Sequence, residues 1–362
     1  MKDTFSKEHT LITKGILIIM LLSHHVFNAS DAEPFYIDTM MDDTVLFYRI
    51  VVFCRICIAG FAFLTAYGMT QKFKMMEDDN SASYFFLTVK RLVKLELSVV
   101  IVYVLAVLYK RFVAVQSLQT LYREEDESIG AMMLHMFLDM TGLSEYSKTA
   151  QINVTWWYLS YAILLIVAMP FIYMTYKKFR YLLIPAGCLL PGAIFKSEVS
   201  FAGLLPVVIL GTAFAYENWF TKLRYRNKGQ AVVGLLISGG VLYTAYLCHV
   251  TTDNGFSYTL AVIIPYLASQ YVSRIPGVNI CLKFIGRHAT NIFLVHTFIY
   301  RYYYAEFIYS FHVALYILLA LLGTSLCVSI VLELIKKFTG YNWLSDKILQ
   351  YVDERGKHYI CS

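Results

Sequence analysis

The chain has 362 residues, of which 58% are hydrophobic and only 15% charged, with a formal net charge of +6. Soluble domains carry about 25% charged residues, so this composition excludes an ordinary soluble protein and predicts a polytopic protein of the lipid bilayer. The seven cysteines are an odd number and lie mostly within apolar stretches, so the sequence implies no disulfide framework. We expect neither a metal site nor binding to nucleic acid.

Apolar stretches that could cross a bilayer recur along the chain. A spanning α-helix needs about 20 apolar residues. The sequence predicts ten spans, at residues 11–28, 46–69, 92–109, 156–176, 181–195, 201–220, 231–250, 256–272, 291–309 and 313–335. The fifth is short and contains two prolines, so it is expected to be bent or covered by its neighbours. The expected fold is an all-α integral membrane protein, with about ten transmembrane helices in one bundle and a single domain at residues 1–362.

The basic residues are unevenly distributed between alternate connecting segments. If the N-terminus is cytoplasmic, most of the 31 Lys and Arg residues fall in cytoplasmic segments, which predicts that both termini lie in the cytoplasm. The first apolar stretch is expected to be a retained span rather than a signal peptide, because a lysine adjoins it and no small-residue cleavage site follows. We expect a multi-pass protein of a cell membrane, with a bacterial inner or plasma membrane as the location.

The first predicted span contains a lysine and two histidines. From Lys14 to His25 an α-helix turns through about 1100°, which leaves the two side chains about 20° apart in azimuth and about 16 Å apart along the axis. His24 points about 80° away from Lys14. Ionisable groups inside a span indicate function, and imidazole is suited to proton transfer near neutral pH. The alternative is that His25 caps the span or bonds a neighbouring carbonyl.

The second predicted span contains Arg55, about 13 Å below Leu46. An arginine at that depth must face a polar interior or a partner. Two roles remain open for it: stabilising an anionic intermediate, or pairing structurally with a carboxylate or carbonyl groups. His249, near the end of the seventh span, is expected to be a polar residue at a span end.

Two later clusters could bind ligands. Lys90, Arg91 and Lys94 could hold phosphate groups, although basic residues at a cytoplasmic helix end are also what membrane topology demands. Trp156 and Trp157, followed by Tyr158, begin the fourth span; they could anchor it in the aromatic belt or stack on sugar rings.

The predicted outer segment at residues 110–155 contains a further apolar stretch at 129–143, which is too short to cross. This stretch is expected to be an interfacial or re-entrant helix. His135 and Asp139 are one turn apart on it and are expected to form its solvent-facing side.

Five segments, taken in order, resemble acyltransferase family 3, the membrane O-acetyltransferases of surface polysaccharides. They lie at residues 14–25, 55–68, 90–94, 155–161 and 286–296, and the resemblance extends over about residues 10 to 300. Two departures stand out. Lys14 occupies a position where the family usually has arginine, and Thr65-Ala66 replaces Ser-Gly.

The resemblance implies transfer of an acetyl group from cytosolic acetyl-CoA to a hydroxyl of a surface glycan or a lipid-linked saccharide. In that case His25 acts as general base or as an acyl-imidazole nucleophile, with Arg55 and His24 in support. Lys14, Lys90, Arg91 and Lys94 would bind the acyl donor, and Trp156, Trp157 and Tyr158 the acceptor.

Two other classes of protein remain open. A polytopic secondary transporter of a small anionic solute would also place ionisable residues in the membrane, although the paired repeats typical of transporters are not seen in the sequence. A structural subunit of a glycan-assembly machine would leave the glycan unchanged when His25 is replaced.

Overall fold

The computed structural model describes residues 5–27, 35–79, 84–123, 128–194, 201–252 and 256–361. Within these ranges the chain is helical, apart from connecting loops and an isolated parallel bridge between Asp38 and Val313. The helices are α1 (Lys7–Val26), α2 (Thr44–Phe53), α3 (Cys57–Asp79), α4 (Tyr84–Leu108), α5 (Gln119–Tyr122), α6 (Ile129–Met140), α7 (Ser144–Ser147), α8 (Trp157–Phe179), α9 (Leu183–Ile194), α10 (Phe201–Glu217), α11 (Trp219–Lys222), α12 (Lys228–Thr252), α13 (Phe256–Leu260), α14 (Ile263–Gln270), α15 (Val278–Thr297), α16 (Ala305–Tyr309), α17 (Ala314–Phe338) and α18 (Tyr341–Cys361).

Six helical segments among the described residues are long and apolar enough to cross a membrane. They are Lys7–Val26, Thr44–Glu77, Tyr84–Val113, Val154–Leu189, Lys228–Thr251 and Ala314–Phe338. The predicted all-α membrane class is confirmed. Asn28 and Phe195, the last residues of two predicted spans, lie outside the described residues.

Two of the predicted spans, at 256–272 and 291–309, differ from the helices that form. The stretch predicted at 256–272 forms two short helices: α13 ends at Leu260 and α14 begins at Ile263. Pro265 lies in the first turn of α14, where its missing N–H costs no helical hydrogen bond. The helix predicted at 291–309 begins earlier, at Val278, and so includes Lys283 and Arg287.

The first two helices begin with side-chain caps. The Ser6 hydroxyl accepts from the backbone N–H of His9 at 3.3 Å, and the Nδ1 of His9 accepts from the Ser6 N–H at 3.2 Å, so the two residues cap the start of α1 reciprocally. At the start of α2, the carboxylate of Asp43 accepts from the N–H of Leu46 at 2.9 Å.

The described residues fall into two compact units. Unit 1 comprises Met1–Asn80, Met169–Ala289 and Phe311–Leu322, and unit 2 comprises Ser81–Ala168, Thr290–Ser310 and Gly323–Ser362.

Unit 1 is assembled through glycines where helices touch. A Cβ at Gly15 of α1 would collide with the carbonyl oxygen of Leu282 in α15, and a Cβ at Gly286 would collide with the carbonyl oxygen of Leu11. Apolar burial does not drive helices together inside lipid, so this close van der Waals packing is what joins α1 to α15.

A second close approach joins α3 to α10. A Cβ at Gly211 would lie 2.7 Å from the carbonyl oxygen of Phe63 and 3.0 Å from the Cβ of Ala66. The small residue that permits contact is therefore on α10, which is why Ala66 can stand where the family pattern has glycine. At the end of α10, the ammonium of Lys74 donates to the carbonyl oxygens of Ala215 and Tyr216, at 3.0 and 2.9 Å, and satisfies groups that the helix leaves open.

In unit 2 the C-terminal helix α18 packs along α4. The Tyr341 hydroxyl donates to the carbonyl oxygen of Leu97 at 2.6 Å, and Lys90 forms an ion pair with Asp353. Asn291, which is 5% exposed, donates to Ser329 and Glu333 and accepts from the ammonium of Lys336. These three hydrogen bonds join α15 to α17.

A helix, α6, forms in the apolar stretch at 129–143, but the predicted position of Asp139 is wrong. Asp139 is 2% exposed rather than solvent-facing. Its carboxylate accepts from the Tyr122 hydroxyl and from the backbone N–H of Ile152, the latter at 2.7 Å. Because both donors are supplied, the carboxylate can be buried, and it ties α6 to α5 and to the chain that leads into α8.

Replacing Gly286 by alanine is expected to lower the free energy of unfolding of the protein by at least roughly 1–3 kcal/mol, because the added Cβ has only backbone in front of it. The measurement is the thermal unfolding midpoint in detergent. Gly239→Ala is the control, since a Cβ there meets no described atom within 4 Å and alanine favours a helix interior by about 0.5–1 kcal/mol. Equal midpoints for the two variants would refute the contact.

Asp139 predicts a pH dependence. Burial raises the pKa of its carboxyl from 3.8 to about 6. As pH rises from 4 to 6, the unfolded chain ionises Asp139 while the folded chain keeps it protonated, so stability falls. We expect the melting temperature of the wild type to decline across this window relative to Asp139→Asn, whose side chain can accept the same bonds. Parallel pH profiles for the two proteins would show that the carboxyl is not perturbed.

Candidate active site

The second span is broken at the depth of Arg55. Helix α2 ends at Phe53, a 3₁₀ turn occupies Cys54–Ile56, and α3 begins at Cys57. A short 3₁₀ stretch inside a longer helix often marks a functional point, because the hydrogen-bond pattern changes there. Here it places Arg55 at the centre of the break, and polar side chains of α1, α12 and α13 converge on it.

His24 bonds to the backbone at this break. Its Nδ1 lies 3.1 Å from the carbonyl oxygen of Val51. A carbonyl oxygen can only accept, so Nδ1 carries the hydrogen and the neutral imidazole keeps its lone pair at Nε2. The ring of His25 follows at a centroid distance of 5.3 Å, and both histidines are half-buried.

Arg55 has the oxygen partner that its depth requires. Its Nε donates to the hydroxyl of Tyr258 in α13 at 2.9 Å, and Tyr258 is 4% exposed. Arg55 also lies within electrostatic range of the His24 imidazole. The bond to Tyr258 holds the Nε edge of the guanidinium, a group that carries five N–H donors in all.

His249 belongs to this cluster, and the sequence did not predict it. Its Nε2 lies 3.1 Å from the carbonyl oxygen of Val52 and its Nδ1 lies 2.9 Å from the hydroxyl of Ser257. The carbonyl requires a hydrogen on Nε2, so in the neutral ring Ser257 donates to Nδ1. Two imidazoles thus donate to consecutive carbonyls, those of Val51 and Val52, immediately before the break.

Lys14 lies on the same unbroken helix as the two histidines, since α1 runs from Lys7 to Val26. The helical spacing predicted from the sequence therefore applies. Lys14 is half-buried and adjoins Gly15, where α1 touches α15.

The other predicted site residues lie in unit 2. Lys90, Arg91 and Lys94 lie in the first half of α4, and Lys90 is already paired with Asp353. Tyr158 packs between the rings of Tyr161 and Phe293, at 5.6 and 5.8 Å.

The two neighbouring tryptophans have different surroundings. Trp156 is 2% exposed, and its indole N–H donates to the carbonyl oxygen of Leu294 at 3.2 Å, so it anchors the start of α8 within the fold. Trp157 is half-exposed and lines a cleft.

No group of three or more His, Cys, Asp or Glu side chains in the described ranges is placed to hold a metal ion. Cys54 and Cys57, on either side of Arg55, are free thiols.

The model of the acyltransferase domain of acyltransferase family 3 matches residues 12–334, which is most of the chain. The chain belongs to acyltransferase family 3. No significant match is found among curated proteins or among solved structures. The protein is accordingly a membrane acyltransferase, and the broken second span with its imidazoles and guanidinium is the candidate active site of this acyltransferase family 3 member.

Replacing Tyr258 by phenylalanine removes the acceptor of the Arg55 Nε–H and keeps the ring. A hydrogen bond to a charged group contributes about 1.5–3 kcal/mol, so we expect the acyl-transfer rate to fall at least about tenfold. Tyr243→Phe is the matched control, because Tyr243 is 62% exposed on α12. If the two variants have equal activity at equal membrane abundance, the bond does not support the reaction.

Proposed function

We propose that this acyltransferase moves an acyl group, acetyl in the first instance, from cytosolic acyl-CoA to a hydroxyl of an extracytoplasmic polysaccharide or a lipid-linked glycan. Family membership supports acyl transfer in a membrane. The observation that carries the proposal is a carbonyl-bound imidazole, that of His24, beside His25 and the guanidinium of Arg55 at a break in a span.

The topology proposed with this function has ten spans and cytoplasmic termini, in a bacterial plasma membrane. Lys14 then lies towards the cytosolic side of α1 and His25 towards the outer side, about 16 Å apart along the axis. That separation is comparable with the reach of an extended pantetheine arm. The acyl donor would therefore enter from the cytosol, and its thioester would reach the depth of His25. The acceptor would reach the same depth from the outer side.

The phosphates of the donor would be bound by lysine and arginine side chains at the cytosolic side. Lys14 is one candidate, and Arg91 and Lys94 on α4 are two others. Lys90 would have to exchange its ion pair with Asp353 for a phosphate, so it is the weakest of the four. Arginine suits this task because its planar fork can hold two phosphate oxygens at once.

In the proposed chemistry His25 is the general base. It removes the proton of the acceptor hydroxyl, and the oxygen attacks the thioester carbonyl carbon. The charge that develops on the carbonyl oxygen is stabilised by N–H groups of Arg55, which the bond to Tyr258 holds in place. The carbon–sulfur bond then breaks, and the CoA thiolate leaves and takes up the proton.

A covalent route is the competing mechanism. In that route an imidazole nitrogen attacks the thioester, CoA leaves, and the acyl-imidazole passes its acyl group to the acceptor. Rapid-quench mass spectrometry with acetyl-CoA alone separates the two routes, since only the covalent route adds an acyl mass to the protein before an acceptor is present.

The decisive experiment compares His25→Ala, His24→Asn and His24→Ala at matched membrane abundance, and measures glycan acetylation and CoA release. His25→Ala is expected to abolish both. The amide of asparagine can replace the Nδ1–H that bonds Val51 but cannot act as a base. We therefore expect His24→Asn to keep most activity and His24→Ala to lose more.

Two results would contradict this assignment. Full activity in His25→Ala together with loss in His24→Asn would make His24 the base. No consumption of acetyl-CoA by the wild type in the presence of acceptor would favour a transporter of a small anionic solute instead.

A further inference from the structure

The chain from α7 to the first residue of α8 forms a cleft in unit 2. Glu145, Gln151, Val154 and Trp157 line an open, shallow cleft with a volume of about 430 Å³. Clefts that bind small molecules measure about 300–1,000 Å³, so this one has room for a sugar unit. All four residues belong to unit 2. Glu145, Gln151 and Val154 lie in the segment that topology predicts on the outer side of the membrane, and Trp157 is the second residue of the predicted fourth span.

The walls of the cleft are fixed by bonds to the rest of unit 2. The buried carboxylate of Asp139 holds the N–H of Ile152. The amide of Asn153, itself fully buried, accepts from the N–H of Thr155 at 3.0 Å and donates to the carbonyl oxygen of Leu294 at 3.3 Å. The N–H of Val154 donates to the Tyr302 hydroxyl at 3.2 Å. A cleft built in this way is formed before a ligand arrives, which lowers the entropic cost of binding.

The lining has the chemistry that recognises a carbohydrate. The flat apolar face of Trp157 can contact the C–H groups of a pyranose ring, while the carboxylate of Glu145 offers two acceptor oxygens for hydroxyl groups. Gln151 donates from Nε2 to Glu145 at 3.1 Å, so the carboxylate and the amide are adjacent and can engage neighbouring hydroxyls together. A carboxylate in the wall also disfavours an acidic sugar by charge repulsion.

We propose that this cleft of unit 2 is a carbohydrate-binding site, and that it takes an uncharged pyranose unit of the acceptor. The proposal rests on the proposed function, because it assumes that the acceptor is a saccharide. It adds Glu145 and Gln151 as specificity-determining residues and assigns the stacking role to Trp157 rather than to the buried Trp156.

The test is saturation-transfer NMR on the full-length protein in dodecyldimethylamine oxide, a detergent without a sugar headgroup. The neutral probes are maltose and N-acetylglucosamine, and glucuronate is the acidic comparator. We expect transfer to the ring protons of at least one neutral probe, at least fivefold less in Trp157→Ala, and no change in Trp343→Ala. Trp343 is the matched control because it is 62% exposed on α18.

Two further variants guard against a folding artefact. Gln151→Ala changes a partly exposed side chain, and we expect it to weaken the signal at an unchanged melting temperature. Glu145→Gln removes the charge, so it is expected to raise the glucuronate signal towards that of the neutral probes. No transfer to either neutral probe, a glucuronate signal equal to theirs in the wild type, or full signals in both Trp157→Ala and Gln151→Ala would overturn the proposal.

His25→Ala separates this inference from the proposed function. It is expected to bind the neutral probe as the wild type does while transferring no acyl group. If His25→Ala still acetylates the glycan, the catalytic assignment fails and the cleft stands. If probe binding survives the cleft variants, the cleft fails and the catalytic assignment stands.

Discussion

The carbonyl groups of Val51 and Val52 are the point on which the candidate active site depends. Each accepts a hydrogen from an imidazole, His24 on one side and His249 on the other. These bonds hold α1 and α12 to the end of α2, just before the 3₁₀ turn that contains Arg55. Because an amide carbonyl cannot donate, the same bonds set the tautomer of both rings. The same two carbonyl groups therefore contact two helices and set the tautomer of a histidine on each.

The parts of the site that the sequence predicted are those within one helix. The spacing of Lys14 and His25 depends only on helical geometry, and α1 forms without a break. The position of Arg55 deep within a predicted span likewise predicted that its side chain has a polar partner. Its identity could not be predicted, because Tyr258 is 203 residues away and belongs to a stretch that looked like a continuous span. His249 was missed for the same reason: its partners are a backbone carbonyl and a serine on other elements.

The errors in the fold also come from partners that a sequence pattern does not contain. Asp139 was expected to face solvent because its side chain is charged, but the N–H of Ile152 and the hydroxyl of Tyr122 satisfy it inside the protein. The membrane class and the longest spans could be predicted from the length of the apolar stretches alone, because that length depends only on neighbouring residues. The length of an apolar stretch did not reveal the break between α13 and α14 at residues 261–262 or the early start of α15.

The glycine contact between α1 and α15 has a consequence for how the histidines are aimed. Gly286 is flanked by Ile285 and Arg287, both with bulky side chains, so turning α15 by one residue would drive a Cβ into the carbonyl of Leu11. Gly15 restricts the rotation of α1 in the same way, because a Cβ at that position would collide with the carbonyl oxygen of Leu282. These two contacts therefore allow α1 and α15 only one rotation of each helix about its own axis. The direction in which His25 points from the axis of α1 is therefore set between two and three turns away, where Gly15 contacts α15.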